Sequence, residues 1–177
     1  MKRLMITLGL AFPSLAPAWA ADTQALMSAA TGQAFSVGTT PFQLVPDASL
    51  RTANPSDPAK AASVDGFDIT LPDPRARRTA KLQAAPTGGP EVAMDMHAGA
   101  PALVMPRLRV YGATARQLDR IAKTSGARVL AAPDAGGKGL LGFASVESAL
   151  AALSTVKAAP GVEDAEVDLV QAIRTPR

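Results

Sequence analysis

Residues 142–170 read GFASVESALAALSTVKAAPGVEDAEVDLV, and this stretch decides the fold of the chain. Ser145 can cap a helix, and five apolar residues after it fall at the spacing of one helix face. These residues are Val146, Ala149, Leu150, Leu153 and Val156. Pro160-Gly161 ends the helix. Residues 163–170 then alternate between apolar and acidic side chains, which predicts a strand with one buried face and one polar face.

The alternation assigns each side chain of this last strand to a face. Ala165, Val167 and Leu169 are predicted to face the core. Asp164, Glu166 and Asp168 are predicted to form the opposite, charged face.

The residues before this stretch predict three more strands and a second helix. Residues 103–111 are strand-like, although Pro106 indicates an edge position or a later start. Thr114 and Gln117 have the spacing of a capping box, which predicts a helix that ends at Gly126. Two short strands, 128–132 and 140–144, then flank a glycine-rich loop. Lys138 in this loop lacks the spacing of a phosphate-binding loop, so a hairpin connection is predicted.

The resulting order of elements is β-α-β-β-α-β. It predicts an α+β domain over residues 101–177 with a ferredoxin-like fold, in which two helices pack on one face of a four-stranded antiparallel sheet. The first and third strands should be central and the second and fourth should be edges. The predicted core comprises Leu108, Val110, Leu118, Ile121, Val129, Leu141, Phe143, Leu150, Leu153, Val156, Val167 and Leu169.

Residues 21–100 have a different composition. They contain eight prolines among Ala, Thr, Ser and Gly, with few large aliphatic residues. Such a segment buries little apolar surface, so we expect it to be a largely irregular, mostly disordered or loosely structured Pro/Ala-rich segment. Two stretches stand out within it. Residues 35–45 can form a hairpin around Gly38, and residues 67–71 alternate like a strand.

The first twenty residues have the pattern of a secretory signal peptide. Lys2 and Arg3 precede a short apolar run, and Ala18-Trp19-Ala20 is an A-x-A cleavage site. The apolar run is far shorter than the roughly 20 residues of a membrane span. We therefore expect cleavage after Ala20 and export to the periplasm or the extracellular space, without a membrane anchor.

Composition excludes several functional classes. The net charge is +3, but loss of Lys2 and Arg3 with the signal peptide lowers it to about +1, so charge gives no reason to expect nucleic acid. The chain has no cysteine, which excludes disulfides and Cys-zinc sites. It has one histidine, His97, no G-x-S-x-G motif and no paired carboxylates in an apolar setting. We therefore predict that the protein is not an enzyme and binds no cofactor.

Four segments together resemble a known family. They are Gly142-Phe143-Ala144, the A-x-x-x-L spacing from Ala149 to Leu153, the turn Pro160-Gly161-Val162, and the strand Ala165-Glu166-Val167-Asp168. In this order they resemble the propeptide and inhibitor domains of subtilisin-like serine proteases, which also occur as stand-alone inhibitors and external chaperones. The resemblance covers roughly residues 103–174.

The resemblance implies a mode of action. The sheet would pack against two surface helices of a protease, with Glu166 and Asp168 accepting hydrogen bonds from the N-termini of those helices. The tail, Gln171-Ala172-Ile173-Arg174, would lie along the substrate cleft as an added strand. We therefore expect an exported inhibitor or folding chaperone that acts in trans on a subtilisin-like protease.

One alternative stays open at this point. The chain could be a non-catalytic periplasmic binding module for another protein or for a metal. Met94, Met96 and His97 lie close together in sequence, and thioether and imidazole groups suit Cu(I).

Overall fold

The computed structural model describes residues 19–53, 60–71 and 88–171, with side chains from residue 23 onward. Over these ranges the chain has an α+β structure with three helices and ten strands, which confirms the predicted class. The helices are α1 (Trp19–Ala29), α2 (Ala115–Ser125) and α3 (Val146–Lys157). The strands are β1 (Ala34–Val37), β2 (Thr40–Leu44), β3 (Ser49–Thr52), β4 (Ala62–Val64), β5 (Phe67–Thr70), β6 (Glu91–Asp95), β7 (Pro101–Tyr111), β8 (Arg128–Ala131), β9 (Gly139–Gly142) and β10 (Asp164–Gln171).

The large sheet is built around β7, and all of its strand pairs are antiparallel. Residues 101–104 of β7 pair with β6, and residues 107–110 pair with β9 on the same edge. β10 pairs along the other edge of β7. The strand order is therefore β1-β2-β6-β7-β9-β8, with β10 beside β7. The sheet has more than the four strands expected, because β1, β2 and β6 extend it from the first half of β7.

Pro106 lies in the middle of this central strand, so the expected edge position or later start was wrong. Pairing with β6 stops at Val104 and pairing with β9 begins at Arg107. Pro106 falls in the gap between these two pairings, so neither β6 nor β9 requires an N–H donor at this position. Its carbonyl still accepts a hydrogen bond from the Phe143 N–H at 2.9 Å.

The other edge of β7 carries a bulge at the same level. Val167 pairs with Leu108 and Leu169 with Val104, so residues 105–107 of β7 lie opposite Asp168 alone. Three residues opposite one leave two extra residues on β7. Because the number of extra residues is even, the alternation of side chains is preserved. The same face of β7 therefore points towards the first core before and after the bulge.

The caps of both C-terminal helices confirm their predicted starts. The Thr114 hydroxyl accepts from the Gln117 N–H at 3.4 Å, and the Gln117 side chain accepts from the Thr114 N–H at 2.8 Å. Ser145 and Ser148 form the same reciprocal pair at 3.0 and 3.1 Å. At the end of α2, Gly126 has φ of 70°, a left-handed conformation that glycine adopts without steric cost.

The first core lies between α2, α3 and the sheet. Of the predicted core residues, eight are buried there: Leu108, Val110, Leu118, Ile121, Leu141, Leu150, Val156 and Val167. The other four, Val129, Phe143, Leu153 and Leu169, are half-buried and pack against it. Phe42, Leu44 and Ala93 from β2 and β6 extend this core.

Residues 21–100 are not largely irregular where the structure describes them, which corrects the expectation from composition. They form α1 and the strands β1 to β6. The predicted hairpin is confirmed as β1 and β2, with φ of 58° at Gly38, and the predicted strand at 67–71 is confirmed as β5. Composition was misleading because Pro46 and Pro90 lie outside the strands. Pro41 lies within β2, and its carbonyl accepts a hydrogen bond from the Met96 N–H at 2.9 Å.

A second core holds this region against the sheet. Its buried residues are Leu26, Ala29, Ala30, Val45, Val64, Ile69, Val92, Met94 and Leu103. They come from α1, from the small sheet β3-β5-β4, and from β6 and β7 of the large sheet. Most of the large aliphatic residues described in the segment are thus gathered in this second core, which supplies apolar burial that the composition alone did not predict.

Two predictions fall on residues outside the described part of the chain. Residues 1–18 of the predicted signal peptide lie there, and α1 begins at Trp19, just before the predicted cleavage position. Ala172, Ile173 and Arg174 of the predicted tail lie there as well, whereas Gln171 ends β10. Within the described residues, the helices are too short and too polar for any of them to cross a bilayer.

The second core predicts a large stability effect at Ile69, whose side chain is fully buried. Ile69→Ala should lower the free energy of unfolding by about 2–4 kcal/mol, because it removes methylene contacts and leaves a cavity. Phe67→Ala is the control on the same strand, since Phe67 is 36% exposed. Denaturant titration followed by circular dichroism measures both. If both variants lowered the free energy of unfolding by the same small amount, this region would contribute no core.

Candidate functional site

The sheet has one face at its β8-β9-β7-β10 end that the helices do not cover. We call this the open face, and it consists of Arg107, Arg109, Tyr111, Arg128, Leu130, Leu140, Gly142, Asp164, Glu166 and Asp168. The assignment follows from the register, in which Arg109 lies opposite both Glu166 and Leu140. Leu108 and Val110 point the other way, into the first core. Within the described residues, α2 and α3 leave this face uncovered, so it is a surface that another molecule could reach.

Asp168 is the most buried charged group of the open face. Its Oδ2 lies 2.7 Å from Nη2 of Arg107, and its Oδ1 is paired with Nη2 of Arg109. The side chain is only 7% exposed. Both carboxylate oxygens are thus held by guanidinium groups, which offsets the cost of removing the charge from water. The sequence placed Asp168 on a solvated face, and the structure instead places it in an internal ion-pair cluster.

Glu166 lies beside this cluster but is more accessible. Its Oε1 accepts a hydrogen bond from the Tyr111 hydroxyl at 2.6 Å and lies 3.8 Å from Nη1 of Arg109. The side chain is 25% exposed. Within the described residues, Oε2 makes no hydrogen bond or ion pair. Of the two predicted docking carboxylates, Glu166 is therefore the one with an oxygen available to a partner.

The same hydrogen bond changes the acidity of Tyr111. Donation to Glu166 raises the pKa of the Tyr111 phenol above its ordinary value of 10.0, and partial burial adds to this increase. Ionised Tyr111 would place a second negative charge against the carboxylate. The Glu166–Tyr111 pair is thus held together as long as the phenol keeps its proton.

Leu130 and Leu140 form the apolar part of the open face. Leu130 is 41% exposed and lies across Gly142, where an added Cβ would come within 2.7 Å of its Cδ1. Glycine at position 142 therefore leaves room for Leu130 to lie across the sheet. Exposed aliphatic surface beside arginines is a composition found in protein-binding surfaces.

Sequence reasoning missed Arg107, Arg109 and Leu130 as members of this site. The sequence did indicate that the arginines belong to this face, because the predicted fold places the first and fourth strands side by side. Alternating arginines on one and acidic residues on the other should then pair across the strands. A signal for Leu130 was present too, because alternation places it on the face opposite the predicted core residue Val129.

The structure does not bring Met94 to the same surface as Met96 and His97. Met94 is fully buried in the second core, whereas Met96 and His97 lie in the exposed turn after β6. Asp95 organises this turn by accepting from the N–H groups of His97 and Ala98, both at 2.8 Å. Within the described ranges, no group of three or more His, Cys, Asp or Glu side chains could hold a metal ion.

The Tyr111–Glu166 contact can be tested by titration, because Tyr111 is the only tyrosine in the chain. Tyrosinate absorbance of the folded protein should give a pKa above the ordinary value, and Glu166→Gln should move it back towards 10. The pair contributes stability that is complete below about pH 10 and lost as the pH rises further, because the unfolded chain then releases the proton first. Identical pKa values in both proteins would contradict the contact.

Comparisons of the chain with family models, with curated proteins and with solved structures find no significant match.

Proposed function

We propose that the protein is an exported inhibitor or folding chaperone of a subtilisin-like serine protease, acting in trans. The observation that carries this proposal is the open face. Both C-terminal helices lie on one side of β10-β7-β9-β8, and the other side combines exposed Leu130 with arginines and an available carboxylate. That combination suits the docking of a sheet on another protein, which the sequence resemblance implies.

The strand order of the C-terminal part also supports the resemblance. Counted along residues 101–171, the order β10-β7-β9-β8 is fourth, first, third and second, with every neighbour antiparallel. We interpret this part as a ferredoxin-like unit. The strands β1, β2 and β6 then form an extension of that unit, because they join it only through the first half of β7.

The two predicted docking carboxylates have different roles in this proposal. Glu166 accepts a hydrogen bond from the N-terminus of a protease helix through its available oxygen, where unpaired N–H groups and the helix dipole favour a negative charge. Asp168 keeps its bonds to Arg107 and Arg109 and holds both guanidinium groups in place. Asp168 is therefore a positioning residue in docking, and Glu166 makes the contact.

The tail completes the proposed mode of action. Within the described residues, β10 is an edge strand that carries Glu166 and Asp168 and ends at Gln171. Residues 172–174 continue from this edge into the substrate cleft and add a strand to the protease, with main-chain hydrogen bonds supplying affinity. Inhibition then depends on the tail, and docking depends on the open face.

Localisation and the absence of catalysis belong to the same proposal. Residues 1–20 are a signal peptide that is removed on export, and the mature protein works in the periplasm or outside the cell. It carries out no reaction of its own and needs no cofactor. Its effect comes from occupying the protease or from stabilising it during folding.

Removal of residues 172–177 tests the role of the tail. The chain 21–177 should inhibit a purified subtilisin at sub-micromolar concentration, and the chain 21–171 should inhibit it at least about tenfold less well, since the strand in the cleft is lost. Both proteins should show the same circular dichroism spectrum, because β10 is intact in each. Equal inhibition by the two chains would contradict the proposed mechanism, and no inhibition by either would contradict the proposed function.

A further inference from the structure

A groove of about 410 Å³ lies away from the open face, between the β1–β2 hairpin and the end of β10. It is lined by Val37, Thr40, Phe42, Leu169 and Gln171. Three of these side chains are apolar and none is charged, so an occupant would place an uncharged, apolar side chain against them. The three apolar residues belong to or pack against the first core.

Two strand edges border this groove. β1 pairs with β2 and β10 pairs with β7, and within the described residues neither has a second strand neighbour. The sheet is curled, so its two outer strands contribute to one groove although three strands lie between them in the order. The groove therefore opens between these two strand edges, beside the point where β10 ends.

The chain itself supplies such a segment. Gln171 lines the groove and is the last residue of β10, and six residues follow it, Ala172 to Arg177. Ile173 is the single large aliphatic residue among these six. It is two positions beyond Gln171, a distance of about 7 Å in extended chain, so the groove is within its reach.

The alternation of β10 points to the same residue. Ala165 and Val167 are buried in the first core, and Leu169 packs against it. Gln171 follows at the same period and lines the groove. Ile173 is the next residue of this series in the sequence.

We propose that the groove binds the C-terminal segment of its own chain, with the Ile173 side chain against Val37 and Phe42. This proposal does not depend on the proposed function. If both hold, the groove and the protease cleft compete for the same segment. The apparent affinity for protease is then the intrinsic affinity multiplied by the fraction of chains whose tail is free.

Engineered cysteines test this contact, because the chain contains no cysteine of its own. Val37→Cys combined with Ile173→Cys should form an intramolecular disulfide under mild oxidation. The control is Ser36→Cys combined with Ile173→Cys, since Ser36 is the exposed neighbour of Val37 on the other face of β1. The first pair should give about fivefold more cross-link than the control, because docking raises the effective concentration of the two thiols. Equal yields would overturn the proposal.

Methyl resonances of Val37 and ring resonances of Phe42 provide a second readout that needs no disulfide geometry. Ile173→Ser should shift both, and it should leave the methyl groups of Leu130 on the open face unchanged. Unchanged resonances at Val37 and Phe42 would overturn the proposal. Shifts that depend on protein concentration would also overturn it, because they would show the tail of a second copy in the groove. No protease is present in either experiment, so the outcome is independent of the proposed function.

Discussion

The structure depends on the register of one strand, β7. Its even-numbered residues Ala102, Val104, Leu108 and Val110 are buried in the first core, and Leu103 is buried in the second. The odd-numbered residues Arg107 and Arg109 lie on the open face. A slip of one residue would exchange these faces and bury both guanidinium groups in the first core. The two extra residues opposite Asp168 avoid this exchange, because an even insertion keeps the alternation.

The Asp168 ion pairs reinforce that register. A carboxylate with 7% exposure is stable only when its partners stay in place, and removal of one partner from a buried pair typically costs about 3–5 kcal/mol. The cost here should be smaller, since Arg107 and Arg109 are each about a third exposed and water can take over part of their solvation. The cluster thus fixes the orientation of the arginine side chains, while Glu166 and Leu130 stay more exposed than Asp168.

Local signals in the sequence were sufficient for the C-terminal part of the fold. A capping box at Thr114 and an N-cap at Ser145, together with helical and strand periods, predicted every element of residues 101–171. The second core could not be predicted in this way, because Leu26, Val64 and Ile69 become neighbours only after distant strands have paired. The burial of Asp168 escaped prediction for a similar reason. Alternation distinguishes two faces of a strand but does not reveal which charges a neighbouring strand will cover.

Docking through the open face is the central claim, and the inhibition constant of two matched variants tests it most directly. Leu130→Asp places a charge on the open face, and Ala151→Asp places one on the exposed outer surface of α3. If the open face contacts the protease, the first variant should raise the inhibition constant by about tenfold or more and the second should leave it unchanged. An unchanged constant for Leu130→Asp, or a loss of inhibition only with Ala151→Asp, would contradict this account.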